Sequence, residues 1–156
     1  MEKFIEMSPQ QSFLYEKARN FCDYQERCIY EVKTKLLQWS ASEDSIEKII
    51  NKLENEDYIN EERYAVAFAN GKLRNNKWGK NKIFYALSKK HVPEIYIQMA
   101  LNEIDDEEYI SILKSIISSK KINEADDFKR KAKMVNYCKQ KGFQTSVVME
   151  VLNGKL

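Results

Sequence analysis

"KIFYALSKKHVPEIYIQMALNEI", residues 82–104, carries an apolar pattern that returns twice elsewhere in the chain. Ile83 and Leu87 stand four apart; 51 residues earlier are Val32 and Leu36, and 51 residues later Met134 and Cys138. The same shift relates Val92 to Ala41 and Phe143, each just ahead of a helical pattern. It also relates Ile97, Ala100 and Leu101 to Ile46, Ile49 and Ile50, and to Val148, Val151 and Leu152. In the first two copies the stripe runs on to Leu53 and Ile104, which completes the i, i+3, i+4, i+7 spacing of one helix face. Three matches in register are the signature of a tandem repeat with a period of about 51 residues.

Each copy reads as three helices, over 9–23, 25–38 and 42–55, then 60–75, 79–90 and 93–103, then 105–120, 125–141 and 144–153. Helix starts carry capping chemistry: Ser8-Pro9 with Gln11 three residues after the serine, Asn60 before two glutamates, and Asp105 before Asp106-Glu107-Glu108. Ile59 with Tyr64, and Ile104 with Tyr109, occupy the staple positions around two of these caps. No window sustains the period-two alternation of a strand. The expected fold is all-α with no significant sheet, an elongated, curved array of three tandem three-helix repeats. Its expected divisions are a flexible N-terminal tail at 1–8 and repeats at 9–58, 59–104 and 105–156. A unit of this size buries little surface alone, so adjacent copies should stack.

Composition agrees with a helical chain: only 4 Gly and 2 Pro in 156 residues, with 43% apolar and 32% charged residues. Cys22, Cys28 and Cys138 lack metal-ligand spacing and read as reduced, small hydrophobes. The apolar runs are too short for a membrane span, and the opening "MEKFIEMSPQQ" lacks the features of a signal peptide, so a cytoplasmic protein is expected. Repeat units that contact only their neighbours in sequence make it an expected monomer. Catalysis finds little support. His91, the sole histidine, has no Cys or Ser partner at a telling spacing, and no glycine-rich phosphate loop is present. The acids at 105–108 suit a helix N-terminus better than a metal loop. No cofactor and no metal is expected, and the chain reads as a non-enzyme.

The charges are sorted. The formal net charge is only +2, yet residues 71–92 hold Lys72, Arg74, Lys77, Lys80, Lys82, Lys89 and Lys90 without an acid. Residues 129–141 hold Lys129, Arg130, Lys131, Lys133, Lys139 and Lys141, again without one. Against them, 42–62 has 8 acids and 2 bases, and 93–113 has 6 acids and no base. Alternating signs suit a partner that presents both, because complementary charge fixes register and speeds encounter. A single lysine on a helix face is most often merely solvated. Trp78 beside Gly79 could stack on a base or meet a partner, although its place at a helix junction favours a core plug. Tyr64, Phe68, Phe84 and Tyr85 fit helix packing better than a stacking platform, but Phe84 and Tyr85 cannot both face inward. Gly71 marks either close packing or nothing.

"YINEERYAVAFANGKLRNNKWGKNKIFYALSKKHV" resembles the middle repeat of the RecX family of recombinase regulators. Tyr58, Ile59, Asn60, Glu61, Arg63, Tyr64, Ala65 and Phe68 fill an aromatic–Ile–acid–acid–x–Arg–aromatic–Ala pattern, with Asn60 standing where the family usually has Asp. Lys72, Leu73, Arg74, Lys77, Trp78 and Gly79 fill the basic stretch that ends in Trp-Gly. "RCIYEVKTKLLQWSASEDSIEKIINKLENEDYI" is similar to the family's first repeat and "KRKAKMVNYCKQKGFQTSVVMEVL" to its third. The resemblance implies a non-catalytic regulator that binds the RecA recombinase, as monomer and as filament on DNA. It implies inhibition of ATP hydrolysis and strand exchange, within recombinational repair and the SOS response. On that reading the contacts fall on Arg63, Lys72, Arg74, Lys77, Trp78, Lys80, Lys82, Lys89, Lys90, Lys129, Arg130, Lys131 and Lys133, with single- or double-stranded DNA in reach of the basic faces. The rival is a helix-turn-helix-like module gripping DNA directly through "GKNKIFYALSKK", which offers Lys and Asn but no Arg for bidentate guanine contacts.

Overall fold

The structure, a computed structural model, describes residues 6–156. It contains α1 (Pro9–Tyr24), α2 (Ile29–Gln38), α3 (Glu43–Asn55), α4 (Glu61–Asn76), α5 (Lys80–Lys89), α6 (Glu94–Asn102), α7 (Asp106–Ser119), α8 (Asp127–Gln140) and α9 (Thr145–Leu152). No strand is present among the described residues, so the expected all-α class holds.

The capping signals act as read. The Ser8 hydroxyl accepts from the Gln11 N–H while the Gln11 side chain accepts from the Ser8 N–H, Asn60 accepts from Arg63 N–H, and Asp105 from Glu108 N–H. Of the tail expected at 1–8, residues 1–5 lie outside the described residues, and Ser8 belongs to the α1 cap. The expected helix over 25–38 is corrected at its start. Gln25 is extended and ends α1, Cys28 is the N-cap of α2, and the first α2 residue is Ile29. Arg27 holds this break by donating from Nε to the Phe21 carbonyl at 3.0 Å. Local periodicity runs through 25–28 and does not reveal that tertiary tie.

The helices pack in threes: α1 with α2 and α3, α4 with α5 and α6, α7 with α8 and α9, and across units α4 with α7. Positions related by 51 residues take like places: Val32, Ile83 and Met134 are buried, as are Leu36, Leu87 and Cys138, and Ile46, Ile97 and Val148. Ser40, His91 and Gly142 also stand 51 apart, and each turns the chain before its third helix with a left-handed φ of 62°, 57° and 100°.

The core divides in two. One cluster joins Leu14, Ala18, Val32, Leu36, Ile49 and Leu53 within the first unit. The other runs without interruption through the second and third units, from Tyr64 and Leu73 through Leu87 and Ile97 to Leu113 and Phe143. Cys28 leaves its own unit and is fully buried in this second cluster. Burial pushes the Cys28 thiol up to about 11, so it behaves as a small hydrophobe.

Ile59 crosses in the other direction, buried in the first cluster, and the rest of the seam between first and second units is mainly polar. Arg63 reaches Glu26, the Asp57 carboxylate at 3.2 Å and the Asp57 carbonyl at 3.0 Å. Lys90 Nζ lies 3.1 Å from Glu31, and Glu61 accepts from Ile29 N–H at 3.1 Å. Burial raises the pKa of the Glu61 carboxyl, a shift the Ile29 N–H partly offsets. The Tyr30 and His91 rings lie 5.1 Å apart on the same seam.

Candidate functional site

The middle unit presents its cations around one turn. The chain leaves α4 through Lys77, which is left-handed at φ 54°, and Trp78 N–H bonds back to the Lys72 carbonyl at 3.1 Å. This brings two ammonium groups against the indole: Lys72 Nζ and Lys82 Nζ each lie 4.8 Å from its ring centroid. Trp78 is half-buried against the core, so it is both plug and surface. Lys80 Nζ lies 4.9 Å over the Tyr109 ring, and Lys77 and Lys89 are exposed. Phe84 turns inward while Tyr85 is exposed, which settles their competition for one face.

Glycine makes the adjoining joint possible. A Cβ on Gly79 would meet the carbonyl carbon of Gly142 at 2.3 Å, and one on Gly142 would meet Lys82 Cβ at 2.4 Å. The two backbones therefore touch: Gly79 N–H donates to the Lys141 carbonyl at 2.8 Å and Asn81 N–H to the Gly142 carbonyl at 2.9 Å. Lys80 N–H donates to the Tyr109 hydroxyl at 3.0 Å, and that hydroxyl donates to Gln144 at 2.6 Å. Burial pushes the Tyr109 phenol up to about 12, so it stays neutral in this chain of bonds. The first turn of α5 is thus satisfied by the third unit. Nothing in local sequence links Gly79 to Gly142, and neither Lys141 nor Tyr109 was singled out as a neighbour of this turn.

The two basic stretches are not free of acids, because neighbouring segments deliver them. Arg74 forms a two-pronged pair with Glu108 across the second and third units, at 2.5 and 3.1 Å. Lys90 is taken by Glu31 and Arg63 by Glu26 and Asp57, so these two hold the first seam. In the third unit Arg130 and Lys131 meet Asp127, and Lys133 meets Glu124 at 2.9 Å. Counting charge along the chain missed these pairs. Among the candidate cations, Lys72, Lys77, Lys80, Lys82, Lys89 and Lys129 have no carboxylate of the described residues within ion-pair reach. Among the described residues, no group of three or more His, Cys, Asp or Glu is placed to hold a metal ion. No helix there is long and apolar enough to cross a membrane.

Comparison with known proteins identifies the arrangement. Residues 15–53 match the model of the first three-helix domain of RecX, and residues 60–101 that of the second. A regulatory protein RecX of Clostridium acetobutylicum is 32% identical over 149 residues, a match spanning 90% of this chain and 69% of that one. The chain belongs to the RecX family. A regulatory protein RecX of Clostridium perfringens is 31% identical over 136 residues, covering 80% of this chain and 62% of its own. The chain therefore spans roughly two thirds of these relatives' length. The crystal structure of RecX from Lactobacillus salivarius superposes with a TM-score of 0.85 at 24% identity, covering 96% of this chain and 98% of that one. A second crystal structure of a regulatory protein RecX gives 0.84 at 21% identity. These likenesses show that the helical fold is that of RecX proteins. Both of these Clostridium relatives are named regulatory proteins.

Proposed function

We propose that this RecX-family chain binds the RecA recombinase and its filament on DNA, and slows the filament's ATP hydrolysis and strand exchange. The observation that carries the site is the Trp78 turn, where Lys72 and Lys82 both lie against one indole, with Lys77 and Lys80 beside it in the chain. Among the described residues these cations have no carboxylate partner, whereas Arg63, Arg74 and Lys90 are consumed in holding units together. We assign the former to the partner and the latter to the frame. Lys89 and Lys129 extend the unpaired set. An acidic surface on the partner pairs with such a patch, and the acids at 105–108 next to it favour a protein of mixed charge over bare DNA.

The direct DNA-gripping alternative is less well supported. A helix that reads a groove offers its N-terminal turn to the bases. Here the N–H groups of Gly79, Lys80 and Asn81 are bonded to the third unit. A regulator that contacts several recombinase protomers at once would act by linkage. Binding one filament arrangement more tightly than others draws the population toward it and slows the cycle that requires the others.

The experiment measures single-strand-dependent ATP hydrolysis by RecA against increasing regulator. Lys80→Glu with Lys82→Glu is expected to raise the concentration for half-inhibition by about tenfold or more, since each 1.4 kcal/mol of lost binding is a factor of ten. Both side chains lie outside the buried stripe of Ile83 and Leu87, so the melting temperature should hold. A folded double variant that inhibits like the parent at every salt concentration would remove the assignment.

A further inference from the structure

The first unit carries a second, separate surface that the reading above does not use. On α1, Gln10, Phe13, Lys17, Asn20, Phe21 and Tyr24 recur at helical spacing beside the buried Leu14, Tyr15, Ala18 and Cys22, with Phe21 packed in part against that core. Phe13 is 65% and Tyr24 83% exposed. Cations are interleaved with the rings. Lys17 Nζ lies 4.2 Å from the Trp39 centroid and 5.7 Å from Phe13. The Arg27 guanidinium lies 3.7 Å from Phe21 and 5.8 Å from Tyr24, and Lys35 Nζ 5.6 Å from Phe21. Among the described residues, none of Lys17, Arg27 and Lys35 has a carboxylate within ion-pair reach, as for the unpaired lysines around Trp78, but here the cations lie over aromatic rings of one exposed helix face. No acid stands on the strip itself. Glu16 and Asp23 project from its edge, and Glu16 is held by Arg19.

We propose that this face of the first unit is a docking platform for single-stranded nucleic acid. The occupant follows from two requirements met together. Three unpaired cations call for an anion, and exposed rings call for flat partners that cover them. A single strand supplies phosphates and open base faces in alternation, and stacking on aromatic side chains tolerates any sequence. A duplex hides its base faces, and an acidic peptide satisfies the charge but leaves Phe13 and Tyr24 bare. From Phe13 to Tyr24 the strip runs about 16 Å along α1. Lysine stems lying on rings can also serve only to shield them from water, and that is the rival the experiment must defeat. The proposal stands apart from the recombinase reading, since its test contains no recombinase.

Trp78→Phe leaves Trp39 as the only tryptophan, so emission reports on this face. Titrating that protein with a labelled oligothymidylate of twenty nucleotides is expected to quench Trp39 and raise the label's anisotropy together. Adding Phe13→Ala and Tyr24→Ala, both at exposed sites, should weaken binding about tenfold or more at an unchanged melting temperature. Lys17→Gln should reduce the log–log salt slope by roughly 0.7, one single-strand phosphate contact. Binding without Trp39 quenching, or undiminished in the folded Phe13/Tyr24 variant, would overturn the platform. Displacement by poly-glutamate as effective as by unlabelled oligonucleotide would overturn it in favour of an acidic protein partner.

Discussion

Single residues fix the tightest joint of this molecule, and two glycines show how differently one residue type can serve. Gly79 and Gly142 allow two units to meet backbone to backbone, and a Cβ on Gly79 would sit 2.3 Å from Gly142's carbonyl carbon, where only backbone could yield. Gly71, inside α4, has nothing within 4 Å of where a Cβ would stand. Gly79→Ala is expected to destabilise by about 3 kcal/mol, the upper end for overpacking a rigid site. Gly71→Ala should stabilise by up to about 1 kcal/mol, because alanine is the better helix former and restricts the unfolded chain. Urea unfolding of the two variants checks both signs. A Gly79→Ala variant as stable as the parent would mean that the α5 turn does not touch Gly142. The Trp-Gly pair that carries the family resemblance thereby acquires a physical reason: the glycine admits a neighbouring unit, and the tryptophan fills the turn between two lysines.

At the level of elements, sequence pattern and structure agree where a helix is specified locally. Leu87 is fully buried, as are its counterparts Leu36 and Cys138. Leu87→Ala should therefore cost about 2–5 kcal/mol as a cavity opens in α5. Asn76→Ala, at the exposed end of α4, should change stability by less than about 0.5 kcal/mol. Thermal melts of the pair test the register of the apolar stripe, and equal shifts would displace it. The caps at Ser8, Asn60 and Asp105 were legible because donor and acceptor lie three residues apart in the chain. The start of α2 was not, because Gln25 and Cys28 are set by Arg27's reach to a carbonyl and by Cys28's burial in the next unit. The candidate site was legible only in composition. Sequence located the basic stretches around Trp78, but partners thirty or more residues away, such as Glu108 for Arg74 and Glu31 for Lys90, separated framework cations from unpaired ones. The platform on α1 escaped because its cations are sparse along the chain and gather only when Lys35 and Trp39 of the α2 end fold beside it.

Across the whole molecule the division of the core sets how stability is shared. The second and third units hold one continuous cluster and exchange backbone hydrogen bonds between α5 and the turn before α9. The first unit has its own cluster and meets the second mainly through charged pairs, with the Tyr30–His91 ring contact and two residues, Cys28 and Ile59, buried across the seam. In an array where units stabilise one another through interfaces, an apolar interface couples neighbours more tightly than a partly exposed polar one. Native-state hydrogen exchange is therefore expected to show two cooperative blocks, α1–α3 and α4–α9. Gly79→Ala separates this from a single block and from three. It should lower the protection of core amides at Leu87 and Leu113 by similar amounts, since damage at the joint is felt on both sides, and leave those at Leu36 and Ile49 nearly unchanged. Loss of protection shared equally by all four amides would mean one cooperative unit. Loss confined to Leu87 would mean that the third unit stands alone. The two-block outcome bears on function, because the Trp78 turn and the α1 platform then sit on bodies joined by a seam of ion pairs. Such a seam, screened by salt and free to rearrange, lets the two surfaces adjust to a partner without unfolding either core.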